Sequence, residues 1–311
     1  MSAHPGGTEA TTSASGPRPP MTRFDDIYDL PDPRAFFRAL GAWQYQTPHH
    51  AQPFFRRLVD VLAADGARGD RAVTVLDICC SYGINAALLN HDLTLQDLYA
   101  HYTDPAVARL TTAEVITRDR AYYAARRRPG AARVIGLDVA HHAVDYACAV
   151  GLLDAGFCEN LETTPPSAAL LSATSATRLI TVTGGVSFLS PRSFRPFLSD
   201  VGKPPWVAAF VLRTGSYQTI SHDLESSGLV TEKDVARTYP QRRFTSPQEQ
   251  QSAIDAVTAA HEDPEGKETD GYFHTALHLS RPAEDIAAIP LAALTRDATD
   301  PAAGPREPVQ G

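Results

Sequence analysis

Residues 73–87, Val-Thr-Val-Leu-Asp-Ile-Cys-Cys-Ser-Tyr-Gly-Ile-Asn-Ala-Ala, constrain the fold more than any other stretch of the chain. Val73, Val75, Leu76 and Ile78 make a short apolar run suited to a strand covered on both faces. Asp77 sits near its carboxyl end, and Gly83 opens the helix-like run that follows. A buried strand turning sharply into a helix belongs to an open parallel sheet, where ligands bind beyond the carboxyl ends of the strands. The spelling of the turn narrows the ligand. A pyrophosphate cradle needs glycines so that backbone can approach it closely, and Cys79 and Ser81 stand where two of them would be. Phosphate binding is therefore disfavoured. The plain alternative is an ordinary strand, turn and helix of some other α/β domain.

Strand patterns recur at residues 73–78, 133–138, 156–160, 179–183, 206–213, 238–244 and 272–279, seven in all, with helical stretches at 143–151, 166–172, 194–198 and 220–227 between most of them. Such alternation predicts an α/β fold with a doubly wound, mostly parallel sheet. A side-chain cap followed by proline marks helix starts at Asp32-Pro33, Thr47-Pro48, Ser190-Pro191 and Ser246-Pro247, and Ser246 with Glu249 spells a capping box. Phe36, Phe37, Phe54, Phe55, Leu58 and Leu62 have helical spacing and are expected in the core. On the last strand Tyr272, His274, Ala276 and His278 share one face, so a half-polar strand face accounts for both histidines.

Composition bounds the rest. With 43% hydrophobic residues, 311 residues can build a substantial core. A formal charge of −8 argues against broad phosphate-backbone contact, so no nucleic-acid partner is expected, and the run Arg126 to Arg128 reads as a solvated helix end. Cys79, Cys80, Cys148 and Cys158 show no disulfide-like or metal-ligand spacing, which fits a reducing cytoplasm, predicts no metal, and makes Cys79 and Cys80 small apolar groups rather than nucleophiles. No apolar run approaches membrane-spanning length and residues 1–20 lack a signal-peptide core, so a soluble, cytoplasmic chain is expected. Residues 1–20 and 282–311 read as disordered tails.

Asp77-x-Cys79-x-Ser81-x-Gly83 resembles motif I of the class I S-adenosyl-L-methionine (SAM) methyltransferases, which runs Asp/Glu-x-Gly-x-Gly-x-Gly. With the strand count, the likeness covers residues 71–281. The resemblance implies a Rossmann-like, seven-stranded methyltransferase fold with SAM as cofactor, bound in part by Asp77, Cys79, Ser81 and Gly83. It places Asp138, at the end of the second strand, against both ribose hydroxyls, which a two-oxygen carboxylate can accept. Val139 then flanks the adenine, Asn160 (with Glu159 second) meets its exocyclic amine, and Thr183 and Gly184 face the sulfonium and the acceptor. Each has a structural counterpart: a core-edge carboxylate for Asp138, a loop cap for Asn160, and a tight turn at Gly184 and Gly185. Asp138 follows Asp77 by 61 residues, where the dinucleotide fingerprint expects roughly 20. A helical insertion at 91–130 is therefore expected, opening at the Thr94-x-x-Asp97 cap and covering a pocket or making a homodimer contact.

Residues 21–70 correspond to the helical lid of family members. Trp43, Tyr45, Gln46, His49 and His50 lie near a helix start there and are candidates for substrate contact. No Asn/Asp-Pro-Pro-Tyr follows the fourth strand, so methylation of nucleobase amines is not implied. What is implied is a small-molecule N- or O-methyltransferase of secondary metabolism, with Tyr45, His49 and Thr183 as catalytic candidates. The chain also resembles the azetidine-2-carboxylate-forming SAM cyclases, in which the amine of SAM attacks its own γ-carbon and expels methylthioadenosine. A noncatalytic SAM-binding module is the third alternative. The partner is accordingly a small-molecule substrate or SAM alone.

Overall fold

The computed structural model describes residues 25–65, 72–198 and 202–296. The leading tail expected at 1–20 lies outside the described residues, as do 297–311 of the trailing one. Helices α1 (Asp25–Tyr28), α2 (Arg34–Ala42) and α3 (Thr47–Asp65) precede strand β1 (Thr74–Ile78) and helix α4 (Ile84–Asn90). Helices α5 (Leu95–Thr103), α6 (Pro105–Ala108) and α7 (Thr112–Ala124) then fill the expected insertion. Alternation follows through β2 (Arg133–Asp138), α8 (His141–Ala149), β3 (Ala155–Cys158), α9 (Ala168–Thr174), β4 (Thr177–Thr183), β5 (Trp206–Leu212) and α10 (Gln218–Ser226). The chain closes with β6 (Leu229–Lys233), β7 (Tyr239–Arg243), α11 (Pro247–Ala259), β8 (Tyr272–Pro282), α12 (Ala283–Ala288) and α13 (Leu291–Leu294).

The sheet runs β3-β2-β1-β4-β5-β8-β6, with β7 paired to β8 off this path. Strands β1 to β5 are parallel, and β6, β7 and β8 join antiparallel. The doubly wound, mostly parallel sheet is thus as expected, but it has eight strands rather than seven. β8 is long enough to pair with β5 on one side while β6 and β7 lie end to end along the other. β6 escapes a hydrophobicity pattern because only Leu229 of its five residues is buried, the economy of an edge strand.

Alternate residues along the strands feed two cores. Val75, Val134, Leu179 and Phe210 pack with Phe36, Phe37, Phe54, Phe55, Leu58 and Leu62 of α2 and α3, as their spacing requires. Leu76, Ile78, Ile135 and Val182 pack on the opposite face with Leu170, Ile220 and Leu224 of α9 and α10. Each large side chain buried in this way contributes about 1.5 to 3 kcal/mol.

Two local expectations need correction. Ser246 does cap α11 through the Glu249 N–H (3.1 Å), but the Glu249 carboxylate turns instead to the Thr245 N–H (2.7 Å) and to buried Arg242, so the box is half formed. Residues 283–296, expected in a disordered tail, form α12 and α13. Leu294 is buried, the Arg57 guanidinium donates to the carbonyls of Ala293 and Leu294, and Asp285 accepts from Trp206 Nε1 and Lys203 Nζ. These long-range partners do what the segment's small residues cannot.

The insertion opens at the expected Thr94–Asp97 capping box and docks through a buried polar chain. Asp119 accepts from Tyr146 Oη (2.6 Å) and lies 2.6 Å from His101 Nε2, while Tyr102 Oη lies 2.8 Å from Tyr146 Oη and 2.7 Å from Tyr123 Oη. Burial pushes all three phenols up, so each has one hydrogen to give. Because Tyr146 gives its hydrogen to Asp119, donation must run from Tyr123 to Tyr102 to Tyr146.

Candidate active site

Strand order reverses between β1 and β4, so their carboxyl ends flank the topological switch point. Beyond β1 the backbone takes positive φ at every second residue: 60° at Cys79, 47° at Ser81 and 73° at Gly83. Left-handed backbone costs a residue with a side chain about 1 to 2 kcal/mol. The turn therefore keeps a glycine-type path with cysteine and serine in two of its three special positions. The Cys79 side chain fills space beside Gly185, where an added Cβ would come within 2.3 Å of its Sγ. Burial pushes the Cys79 and Cys80 thiols up, away from thiolate chemistry, which leaves both as small packing groups.

The N–H groups of this turn point inward. Cys79 and Cys80 donate to the Leu137 carbonyl (2.8 and 3.4 Å), Ser81 to Asp138 Oδ2 (2.8 Å), and Gly83 to the Cys80 carbonyl (2.9 Å). None of these four remains to cradle a phosphate, and the carboxylates of Asp77 and Asp138 stand on either side. A pyrophosphate would meet like charge there, whereas a cation would meet opposite charge.

Asp77 is 1% exposed. Its Oδ1 accepts from Asn85 Nδ2 (2.9 Å) and Thr181 Oγ1 (2.7 Å), and its Oδ2 is buried with no partner among the described residues. Burial pushes the carboxyl up to about 7, against the pull of the Asn85 and Thr181 hydrogen bonds, with the Asp138 charge adding to the rise. Asn85 also donates to Thr183 Oγ1 (2.9 Å), so one side chain in the first turn of α4 ties the end of β1 to the end of β4. The motif marks neither Asn85 nor Thr181. An asparagine in the apolar opening turn of α4 is the signal that finds the first.

Asp138 accepts three backbone hydrogen bonds, from Ser81 to Oδ2 and from Val139 and Ala140 (2.7 and 3.0 Å) to Oδ1. Burial nonetheless pushes its pKa up. With about four acceptor sites on a carboxylate, one is left rather than the two that a pair of ribose hydroxyls needs. Next to it Val139 is 66% exposed, an apolar side chain offered to solvent beside the turn. Asn160 is exposed and caps its own loop, Oδ1 accepting from the Glu162 N–H (3.0 Å), while Glu159 caps α9 through Ser167. Both side chains face local backbone.

The N-terminal region brings one of its candidates to the strand ends. A Cβ on Gly184, where φ is 80°, would lie 3.2 Å from the Tyr45 hydroxyl, so Tyr45, Thr183 and Gly184 share one place. Burial pushes the Tyr45 phenol well up, with Tyr28 and Tyr99 adding to the rise. Edge bonds hold the segment there: Arg243 N–H donates to the Trp43 carbonyl (2.8 Å) and Gln46 N–H to the Gln241 carbonyl (2.7 Å). His49 is exposed, its ring 5.2 Å from that of His50, and lies outside this grouping. Burial pulls His274 and His278 down to about 4, leaving both neutral on their strand face. Tyr82, inside the turn itself, is the residue that no motif marks. Its hydroxyl accepts from the Leu30 N–H (2.9 Å) and donates to the carbonyl of Leu30 (3.0 Å) or Ile27 (3.2 Å), fastening the first segment over the turn.

No protein-family model and no curated protein matches the chain. Solved structures similar to it include a magnesium protoporphyrin IX methyltransferase from Synechocystis PCC 6803 with bound SAM, at 12% identity over 75% of this chain and 80% of that one, with a TM-score of 0.35. A TehB-like SAM-dependent methyltransferase from Corynebacterium glutamicum is similar at 14% identity over 78% and 93% (TM-score 0.37), and the YcgJ protein from Bacillus subtilis at 11% over 75% and 99% (TM-score 0.39). Likeness at these scores leaves function to the site's own residues. Among the described residues no helix is long and apolar enough to cross a membrane.

Proposed function

We propose that the chain binds S-adenosylmethionine at the β1 turn and transfers its methyl group to a small molecule. The observation that carries this reading is the pairing of two buried or half-buried carboxylates, Asp77 and Asp138, with a turn whose Cys79, Cys80, Ser81 and Gly83 N–H groups are already bonded inward. The arrangement suits a ligand that is cationic and carries no phosphate. The unpartnered Asp77 Oδ2 fits an ammonium or a nearby sulfonium, the last acceptor site of Asp138 fits one ribose hydroxyl, and exposed Val139 fits an aromatic face.

When bound, SAM supplies an electrophilic methyl group on a positively charged sulfur. The chain's own part is alignment and exclusion of water. Asn85 fixes Asp77 and Thr183 together, and the Tyr45 hydroxyl lies beside Gly184, the residue after Thr183. Tyr45, held protonated, acts as a donor that orients an acceptor lone pair and not as a base. We assign acceptor alignment to Tyr45 and Thr183. Exposed His49 would reach the acceptor only from the solvent side.

Calorimetry with SAM, S-adenosylhomocysteine and NAD tests the binding half: micromolar affinity for the first two and none for NAD is expected, and the reverse sinks the assignment. Purified protein with SAM alone, its products resolved by mass spectrometry, tests the chemistry. A methyltransferase leaves SAM intact until an acceptor is added, whereas methylthioadenosine plus a four-carbon cyclic amino acid would mark intramolecular cyclisation instead.

A further inference from the structure

A second carboxylate reaches the end of β2 from the first segment of the chain. Asp29, the residue after α1, accepts the His142 N–H at its Oδ1 (2.6 Å). Two residues earlier the Ala140 N–H goes to Asp138 Oδ1 (3.0 Å), so the opening of α8 is shared between two acids. The other side closes in the same way. Ser81 N–H donates to Asp138 Oδ2, and the hydroxyl of the next residue, Tyr82, accepts the N–H of Leu30, the neighbour of Asp29. A closed circuit of hydrogen bonds and peptide links therefore joins the two carboxylates by both routes. They lie close enough that the Asp29 charge adds to the rise in the Asp138 pKa that burial begins. Like charges held together in this way favour a ligand that brings hydrogen-bond donors or positive charge between them.

We propose that Asp29 is a further cofactor-binding residue, its Oδ2 receiving one hydroxyl of the ribose while Asp138 receives the other. The inference rests on the reading of this site as one for S-adenosylmethionine. Asp138 already accepts three backbone N–H groups and keeps about one acceptor site. Asp29 is exposed, and its carboxylate accepts no other hydrogen bond among the described residues, so it supplies the acceptor that Asp138 lacks. A vicinal diol suits the pair because it carries two O–H donors on adjacent carbons, one for each acid. The cationic end of the ligand has a separate acceptor in the buried Asp77 Oδ2.

Calorimetry of the full chain tests this with S-adenosylhomocysteine and with two counterparts, each lacking one of the ribose hydroxyls. Each missing hydroxyl should weaken binding to the unaltered chain at least about tenfold, because each bond is made to a charged group. Asp29→Ala should weaken S-adenosylhomocysteine by a similar factor and abolish the penalty for one hydroxyl only, whereas Asp138→Ala should abolish the penalty for the other. Asp29→Asn keeps an oxygen for the His142 N–H, so it should reduce the same penalty as Asp29→Ala with no change in melting temperature. Equal weakening of all three ligands by both Asp29 substitutions, with both penalties kept, would make Asp29 an anchor of its segment and overturn the proposal. Tight binding of S-adenosylhomocysteine with no penalty for either missing hydroxyl would also overturn it and leave the cofactor reading standing. No binding of any of the three ligands to the unaltered chain would overturn both.

Discussion

The helical insertion and the strand ends both bury polar side chains, and they treat them in opposite ways. In the insertion, His101, Asp119, Tyr146, Tyr102 and Tyr123 hand hydrogen bonds from one to the next. At the end of β1 and in the turn after it, Asp77 Oδ2 and Ser81 Oγ are buried and unpaired among the described residues. A closed network rigidifies a fold and asks for nothing more. A cluster of open acceptors is a deficit that a bound molecule can remove.

Breaking the closed network should give the largest effect. Asp119→Ala strands Tyr146 and His101 together and should lower unfolding stability by about 3 kcal/mol or more, read from urea denaturation, while the folded fraction keeps its affinity for S-adenosylhomocysteine. A matching loss of affinity would mean that the two regions are not independent. Asp138→Ala acts the other way round: calorimetry should show SAM binding weakened by about 2 to 4 kcal/mol, and a change in melting temperature alone would make Asp138 purely structural.

Asp77→Asn comes next. With its folded carboxyl at about 7 and its unfolded one near the ordinary 3.8, the native chain holds the extra proton between these values. This group's contribution is therefore full below about pH 4 and is lost as pH rises towards 7. Asparagine keeps an oxygen for Asn85 and Thr181, so it should flatten that slope and raise stability at pH 8 by about 2 kcal/mol or more, visible in melting curves across pH. An unchanged slope would assign the pH dependence elsewhere. The smallest effect is expected from Ser81→Gly, which relieves left-handed strain and removes an unpaired hydroxyl. It should stabilise the free protein by about 0.5 to 1 kcal/mol, and a loss of stability would show that the Ser81 side chain is held by contacts stronger than its strain.

The sheet was legible from residues 73–87 and the alternation after them because buried parallel strands must be continuously apolar. β6 was not, since an edge strand buries little. Within the site, Asp77, Asp138, Thr183 and Gly184 stand at strand ends, where topology alone puts ligands. Asn160 illustrates the limit: a loop asparagine that caps itself and one that meets a base have the same local sequence. Asn85 lies only 8 residues from Asp77 and could have been found as an asparagine in an apolar helix start, whereas Tyr82 acts through Leu30, 52 residues away, so no short spacing encodes it. The tail misread at 283–296 failed for the same reason, its anchors being Arg57, Lys203 and Trp206.

The edge bonds from Trp43 to Arg243 and from Gln46 to Gln241 also set an order of events during synthesis. A ribosome releases the first helices long before it makes the strand they lean on. Tyr82 can hold Ile27 and Leu30 early, but the Tyr45 segment has no edge to join until β7 has left the exit tunnel. A nascent chain stopped short of β7 therefore leaves the segment from Trp43 to Gln46 without its final seat, and that junction is assembled last from the oldest and among the youngest parts of the polypeptide.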